Sequence, residues 1–116
     1  MSWLPAEPAA RIPYSPHRLL DARSLAMHAV IAEKIQRDPR LLDIARRNLD
    51  RWQAKWGDRS PIWVDQWREI LKRPRPEIAA LLTEPSEAAA SLRQSTPFAG
   101  VLTPIERRRI YAAFRA

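Results

Sequence analysis

Cysteine is absent from this 116-residue chain, which excludes disulfides, thiolate metal sites and thiol redox chemistry and fits a reducing cytosol. Only two glycines occur, Gly57 and Gly100, too few for a glycine-rich loop that cradles phosphates. The two histidines, His17 and His28, are not spaced as ligands from one helical turn, and no acidic residue completes a ligand motif with either. His28 falls on a helix and reads as a surface or boundary residue ahead of any catalytic role. Nucleophile elbows, H-E-x-x-H pairs and paired-carboxylate clusters are also missing. The expectation is a protein that is not an enzyme and uses no metal or cofactor. No run of about 18 apolar residues is present, and Met1 to Pro16 lacks the apolar centre of an export signal. A soluble, cytoplasmic protein with no membrane partner follows as an expectation.

Lysine is nearly as scarce. Lys34, Lys55 and Lys72 stand against 17 arginines and 13 acids, for a net charge of +7. Such a balance points to an anionic partner, whether nucleic acid, an acidic protein or a membrane surface, without selecting among them. The arginine fork suits phosphate and carboxylate alike, and an arginine-rich composition also arises simply from a GC-rich genome. Apolar residues make up 46% and charged residues 28%, ordinary for a folded protein, and this length allows one core that buries roughly two-thirds of the unfolded surface.

The eleven prolines act as punctuation. Pro39, Pro61 and Pro104 each follow a capping residue, Asp38, Ser60 and Thr103, which predicts three helix starts with proline at the first helical position. Pro5, Pro8, Pro13 and Pro16 recur through the first sixteen residues together with Trp3 and Tyr14, a spacing that forbids a regular helix or a paired strand. Residues 1–16 therefore read either as a disordered tail or as an extended arm that docks through Trp3 and Tyr14, and residues 17–116 as a single helical domain.

Within that domain the periodicity is helical throughout. A first helix begins after Ser15-Pro16 or nearer Asp21 to Ser24 and runs to about Gln36, with Met27, Val30, Ile31 and Ile35 on one face. A second, Pro39 to Trp56, places Leu41, Ala45, Leu49, Trp52 and Trp56 inward and ends at Gly57. A third runs from Pro61 to about Arg73, with Trp63, Val64, Trp67, Ile70 and Leu71 on one arc. The short connection makes the second and third antiparallel neighbours, so four of the five tryptophans are expected together near the turn. Short helices follow around Ile78 to Leu82 and Ser86 to Arg93, then an apolar connector, Ser95 to Leu102. Thr103-Pro104-Ile105-Glu106 forms a capping box that opens a last helix, with Ile110 and Phe114 inward. The fold expected is all-α, a compact bundle of about five to six helices carrying an extended Pro-rich N-terminal arm.

Two basic sets stand out as candidate binding residues. Arg40, Arg47, Arg51 and Lys55 form an outer stripe on the second helix, able to line several phosphates, although a plain solvated face explains them too. Arg107, Arg108 and Arg109 lie in the first turn of the last helix, where cations oppose the helix dipole by a few tenths of a kcal/mol each. A bound phosphate or acidic partner would offset that, and so, in part, would Glu106. Asp43 and Asp50, seven residues apart on one helical face, have arginines beside them and read as salt-bridge partners.

The run SLAMHAVIAEKI from Ser24 to Ile35, then Asp38-Pro39, then LRQSTPFAGVL from Leu92 to Leu102 and Glu106-Arg107, resembles a group of small bacterial proteins associated with toxin–antitoxin loci. The resemblance spans most of the chain after the arm, and the Pro-rich arm departs from the compact start of that group. It implies an antitoxin-type protein that binds a partner protein, such as a toxin, and assigns no individual functional residue. Two functions are therefore expected to compete: an antitoxin-like regulatory subunit that caps a partner protein and also touches DNA, and a stand-alone basic nucleic-acid-binding protein. An enzyme would require arginines and a carboxylate to converge in a pocket.

Overall fold

The computed structural model describes residues 16–114. The Trp3 and Tyr14 of the arm lie outside the described residues. Six α-helices and two 3-10 turns account for the architecture, with no strand among the described residues. None of these helices is long and apolar enough to cross a membrane.

Helix α1, Pro16–Arg37, starts at the earlier of the two positions the sequence allowed, so Pro16 is its first residue and not the end of the arm. It is rich in leucine, alanine and methionine, good helix formers, and it buries His28, Ile31, Ala32 and Ile35, an i, i+3, i+4, i+7 stripe. At 22 residues it is about 33 Å long, enough to run beside α4, Arg75–Leu82, and to reach both α5, Glu87–Gln94, and α6, Pro104–Ala113. Helix α4 contributes Ile78, Ala79 and Leu82 to that contact layer.

Asp38 caps the next segment as expected, its carboxylate accepting from the Arg40 N–H at 3.1 Å with Pro39 at the first position. The chain makes a 3-10 turn, Pro39–Leu41, before entering α2, Leu42–Trp56. Gly57 ends α2 at φ 54°, a backbone conformation that side-chain-bearing residues avoid. Ser60 does not cap α3, Ile62–Ile70. Its hydroxyl donates to the Gly57 carbonyl at 2.9 Å and closes the intervening 3-10 turn, while Pro61, extended at φ −61° and ψ 152°, takes the capping position without a side-chain bond. The helix start was marked one residue early because the hydroxyl found a nearer acceptor.

Helices α2 and α3 pack on each other. Trp63 meets Trp52 and Trp56 edge to face, at ring separations of 5.3 and 5.8 Å. The expected fourth tryptophan is elsewhere. Trp67 is buried and packs edge to face on Phe98 of the connector, 5.8 Å away. Its indole N–H has no partner among the described residues, a lapse that ordinarily costs about 1–3 kcal/mol and that dense apolar packing must offset.

The connector, residues 95–102, proves to be the hub of the fold. Pro97, Phe98, Val101 and Leu102 are buried. Each long helix fastens to it: α1 through His28 to Thr96, α2 through Asn48 to the Pro97 and Ala99 carbonyls, and α3 through Trp67. Gly100 turns the connector at φ 98°, with Ile44 of α2 only 3.6 Å from where a Cβ would stand. Thr103 and Glu106 then complete the capping box of α6, with Glu106 accepting from the Thr103 N–H at 2.7 Å and the Thr103 hydroxyl accepting from the Glu106 N–H at 3.1 Å. Ile110 and Phe114 are half-buried, and α6 contributes no fully buried side chain.

Candidate functional site

Where α2 faces the end of α3 and the start of α4, the surface opens into a cleft of about 550 Å³. Buried Leu42, Leu49 and Leu71 form its floor, and exposed Pro39 lines it together with Arg46, Arg68, Lys72, Arg73 and Arg75. Among the described residues no carboxylate lines it. The local sequence explains the convergence. Arg46 stands one turn beyond Leu42 on α2, Arg68 stands one turn beyond Val64 on α3, Lys72 lies in the turn that follows α3, and Pro74 separates Arg73 from Arg75 at the start of α4.

The cations differ in how firmly they are held. Arg46 pairs with Asp43 at 2.9 Å, Lys72 with Glu69 at 2.8 Å, and Arg68 bridges to α2 through Asp50 at 2.9 Å and Gln53 at 2.6 Å. Lys72's hydrogen bond holds the Glu69 carboxyl below its ordinary range. All three acids are more than half exposed, and exposed pairs of this kind contribute only about 0–1 kcal/mol, so an incoming anion displaces them at little cost. Arg75 donates to the Gln36 carbonyl at 2.8 Å, a neutral acceptor that orients the guanidinium and leaves its charge uncompensated. Arg73 is exposed and makes no ion pair among the described residues. The arrangement can hold carboxylates or phosphates over an aliphatic floor.

None of these five residues was singled out from sequence. Arg68 and Lys72 fall outside the inward arc of the third helix, and the run Lys72-Arg73-Pro74-Arg75 falls at its expected end near Arg73. That run was the available signal.

The residues chosen from sequence sit elsewhere. Arg40 is tied to its own neighbour, with Nε 3.0 Å from Asp38, and that bond lowers the Asp38 pKa and raises that of Arg40. Arg47 and Lys55 are exposed on the outside of α2 without an ion pair among the described residues, and the Lys55 ammonium lies 6.0 Å from the Trp56 ring centre. Arg51 donates to the Asn48 Oδ1 at 2.6 Å and so orients the amide that holds the connector. Arg108 and Arg109 are exposed, whereas Arg107 leans over Tyr111 at 5.8 Å. No hydrogen bond or ion pair among the described residues joins the α2 set to the α6 set.

Glu106 does face cationic charge, from α1. Lys34 reaches it at 2.8 Å and also donates to the Val101 carbonyl at 2.7 Å. The Lys34 hydrogen bond, followed by the Thr103 N–H, holds the Glu106 carboxyl below its ordinary range. Asp43 is paired with Arg46 on its own helix, as the sequence suggested, whereas Asp50 pairs across to Arg68 of α3 and not with a neighbouring arginine.

His28 overturns the boundary reading, because it is 1% exposed. Nδ1–H donates to the Ser24 carbonyl at 2.7 Å, so Nε2 is left to accept from the Thr96 hydroxyl at 2.9 Å, and that hydroxyl in turn accepts from the Phe98 N–H at 3.2 Å. Burial lowers the imidazole pKa from 6.5, and Arg93 pushes the same way against the Ser24 carbonyl. Both ring nitrogens are thereby engaged, Nδ1 within α1 and Nε2 across to the connector. Arg93, also buried, donates to the Leu82 and Glu84 carbonyls at 3.3 and 2.9 Å and closes the end of α4. Among the described residues no three of histidine, aspartate and glutamate cluster as metal ligands. Comparison of the chain with protein-family profiles, with curated proteins and with solved structures finds no match.

Proposed function

We propose that this chain is a non-catalytic binding protein, an antitoxin-like cytoplasmic subunit that grips an acidic surface of a partner protein in the cleft between α2, α3 and α4. The observation that carries the reading is the lining of that cleft: five cationic side chains and an aliphatic floor, with no carboxylate among the described residues that line it. Nucleic acid offers phosphates for the cations but nothing for a floor of leucines, whereas an acidic segment bearing apolar side chains complements both. Three of the five cations are held in exposed ion pairs that cost little to break, so an incoming carboxylate can replace Asp43, Asp50 and Glu69. Both His28 nitrogens are occupied, Nδ1 by the Ser24 carbonyl of its own helix and Nε2 by the Thr96 hydroxyl of the connector, which supports a role without acid–base chemistry.

Purification of the tagged full chain from its native host tests this. A single acidic protein retained in fixed stoichiometry at low salt, and released as salt rises, is the expected result. Recovery of the chain without a stoichiometric protein partner contradicts it.

A second reading is supported by the exposed Arg47, Lys55, Arg108 and Arg109, which carry no ion pairs among the described residues. These residues fit sequence-independent contact with DNA phosphates, either alone or alongside the partner protein. Binding to a duplex that weakens steeply with salt is then expected, and salt-independent binding contradicts it.

A further inference from the structure

A second cavity, of about 220 Å³, lies on another part of the molecule, between α1, the connector and the first two turns of α6. Met27, Ile31, Phe98 and Leu102 supply its apolar walls. His28 and Thr96 also border it, but their polar atoms are engaged with each other, with Ser24 and with the Phe98 N–H. That leaves Arg107 and Tyr111 as the lining groups able to fix the polar end of a guest.

Cationic charge gathers at Tyr111, one of the lining residues. The guanidinium of Arg23, from α1, lies 4.3 Å from the centre of the Tyr111 ring, and that of Arg107 lies 5.8 Å from it. Two like charges are thus gathered on one ring, and neither makes an ion pair among the described residues. Glu106, next to Arg107 in sequence, is turned to Lys34 and the Thr103 N–H and does not neutralise the pair. An apolar chamber with a few convergent polar groups is the usual form of a small-molecule site, and guanidinium is suited to planar carboxylate.

We propose that this cavity binds a small carboxylic acid with an apolar body, aromatic or branched aliphatic, whose hydrocarbon fills the space beside Phe98 and whose carboxylate is held by Arg107 and Arg23. The chamber is smaller than those that take drug-sized molecules, so the ligand has about ten non-hydrogen atoms. The site is independent of the basic cleft, which shares no lining residue with it.

NMR titration of the full chain with phenylacetate and with 4-methylpentanoate tests the proposal, with phenylacetamide and inorganic phosphate as controls. At least one acid should shift Thr96, Phe98 and Tyr111 saturably, with a Kd of about 0.1–1 mM for a ligand of this size. The double variant Arg23→Gln/Arg107→Gln should weaken that binding at least tenfold, roughly the value of a lost charge-assisted contact, and leave the fold's spectrum intact. Met27→Trp, which fills the chamber, should abolish it. Equal affinity for phenylacetamide overturns the proposal, as do shifts confined to Arg46, Arg73 and Arg75, or the absence of saturable shifts with either acid up to about 10 mM.

Discussion

The side-chain amide of Asn48 on α2 donates to the carbonyl of Pro97 at 2.7 Å, across 49 positions of chain. Its second hydrogen goes to the Ala99 carbonyl at 3.0 Å, and its oxygen accepts from Arg51. The connector pairs its own backbone at one turn, Val101 N–H to the Phe98 carbonyl at 3.1 Å, and buried carbonyls elsewhere in it need other partners, which Asn48 supplies for Pro97 and Ala99 from within the core. Asn48→Ala leaves two carbonyls without their partner, and each such loss costs about 1–3 kcal/mol. Urea unfolding should show a loss of about 2–4 kcal/mol for this single buried polar residue, against under about 0.5 kcal/mol for Arg47→Ala on the exposed face of the same helix.

Protonation of His28 should set the stability of the fold in mildly acidic solution. Burial depresses the folded-state pKa below the unfolded value of 6.5. The stabilisation is therefore complete above pH 6.5 and is lost as pH falls from there through the folded-state value, because the unfolded chain takes up the proton first. The depressed carboxyls of Asp38, Glu69 and Glu106 have the same sign but act only below their ordinary values of 3.8 and 4.5. Chemical unfolding between pH 8 and about pH 5 should show a decline that His28→Gln removes, whatever that variant does to stability at neutral pH. An unchanged decline in the variant would assign the effect to another group.

The helix boundaries were largely legible in the chain because their causes are local. Asp38-Pro39 and Thr103-Pro104-Ile105-Glu106 determine their own turns, and the inward face of α2 follows from spacing alone, with Ala45 and Leu49 buried. His28 was misread for the opposite reason. Its burial depends on Thr96, 68 positions away, and a lone histidine on a helix carries no periodic signal. Asn48 was hidden in the same way, and Trp67 left the tryptophan cluster because Phe98 lies beyond the reach of a hairpin argument. The cleft is assembled from three helices, so the outer stripe of one helix, which periodicity can detect, drew attention from the place where cations converge.

The capping box makes a graded prediction. Thr103→Ala removes one side-chain cap and should cost about 1 kcal/mol. Glu106→Ala removes the reciprocal bond and the Lys34 ion pair together, and should cost about 1–2 kcal/mol. Thermal unfolding that ranks Thr103→Ala as the more damaging of the two would mean that the link between α1 and α6 contributes nothing.

Gly100 should resist replacement. At φ 98°, with Ile44 3.6 Å from the position of a Cβ, an alanine meets strain from the backbone more than from crowding. A loss of about 1–2 kcal/mol is expected for Gly100→Ala, and full stability in that variant would show that the connector adopts a different turn.

The central claim is that the cleft, and not the outer stripe of α2, is where the partner binds. Affinity of the co-purified partner protein should be measured by calorimetry for the full chain, for Arg73→Glu/Arg75→Glu and for Arg47→Glu/Lys55→Glu, two variants with the same change in net charge. The account predicts that the cleft variant loses at least about tenfold in affinity while the stripe variant stays within about threefold of the unaltered chain. Equal losses, or a larger loss from the stripe variant, would contradict it.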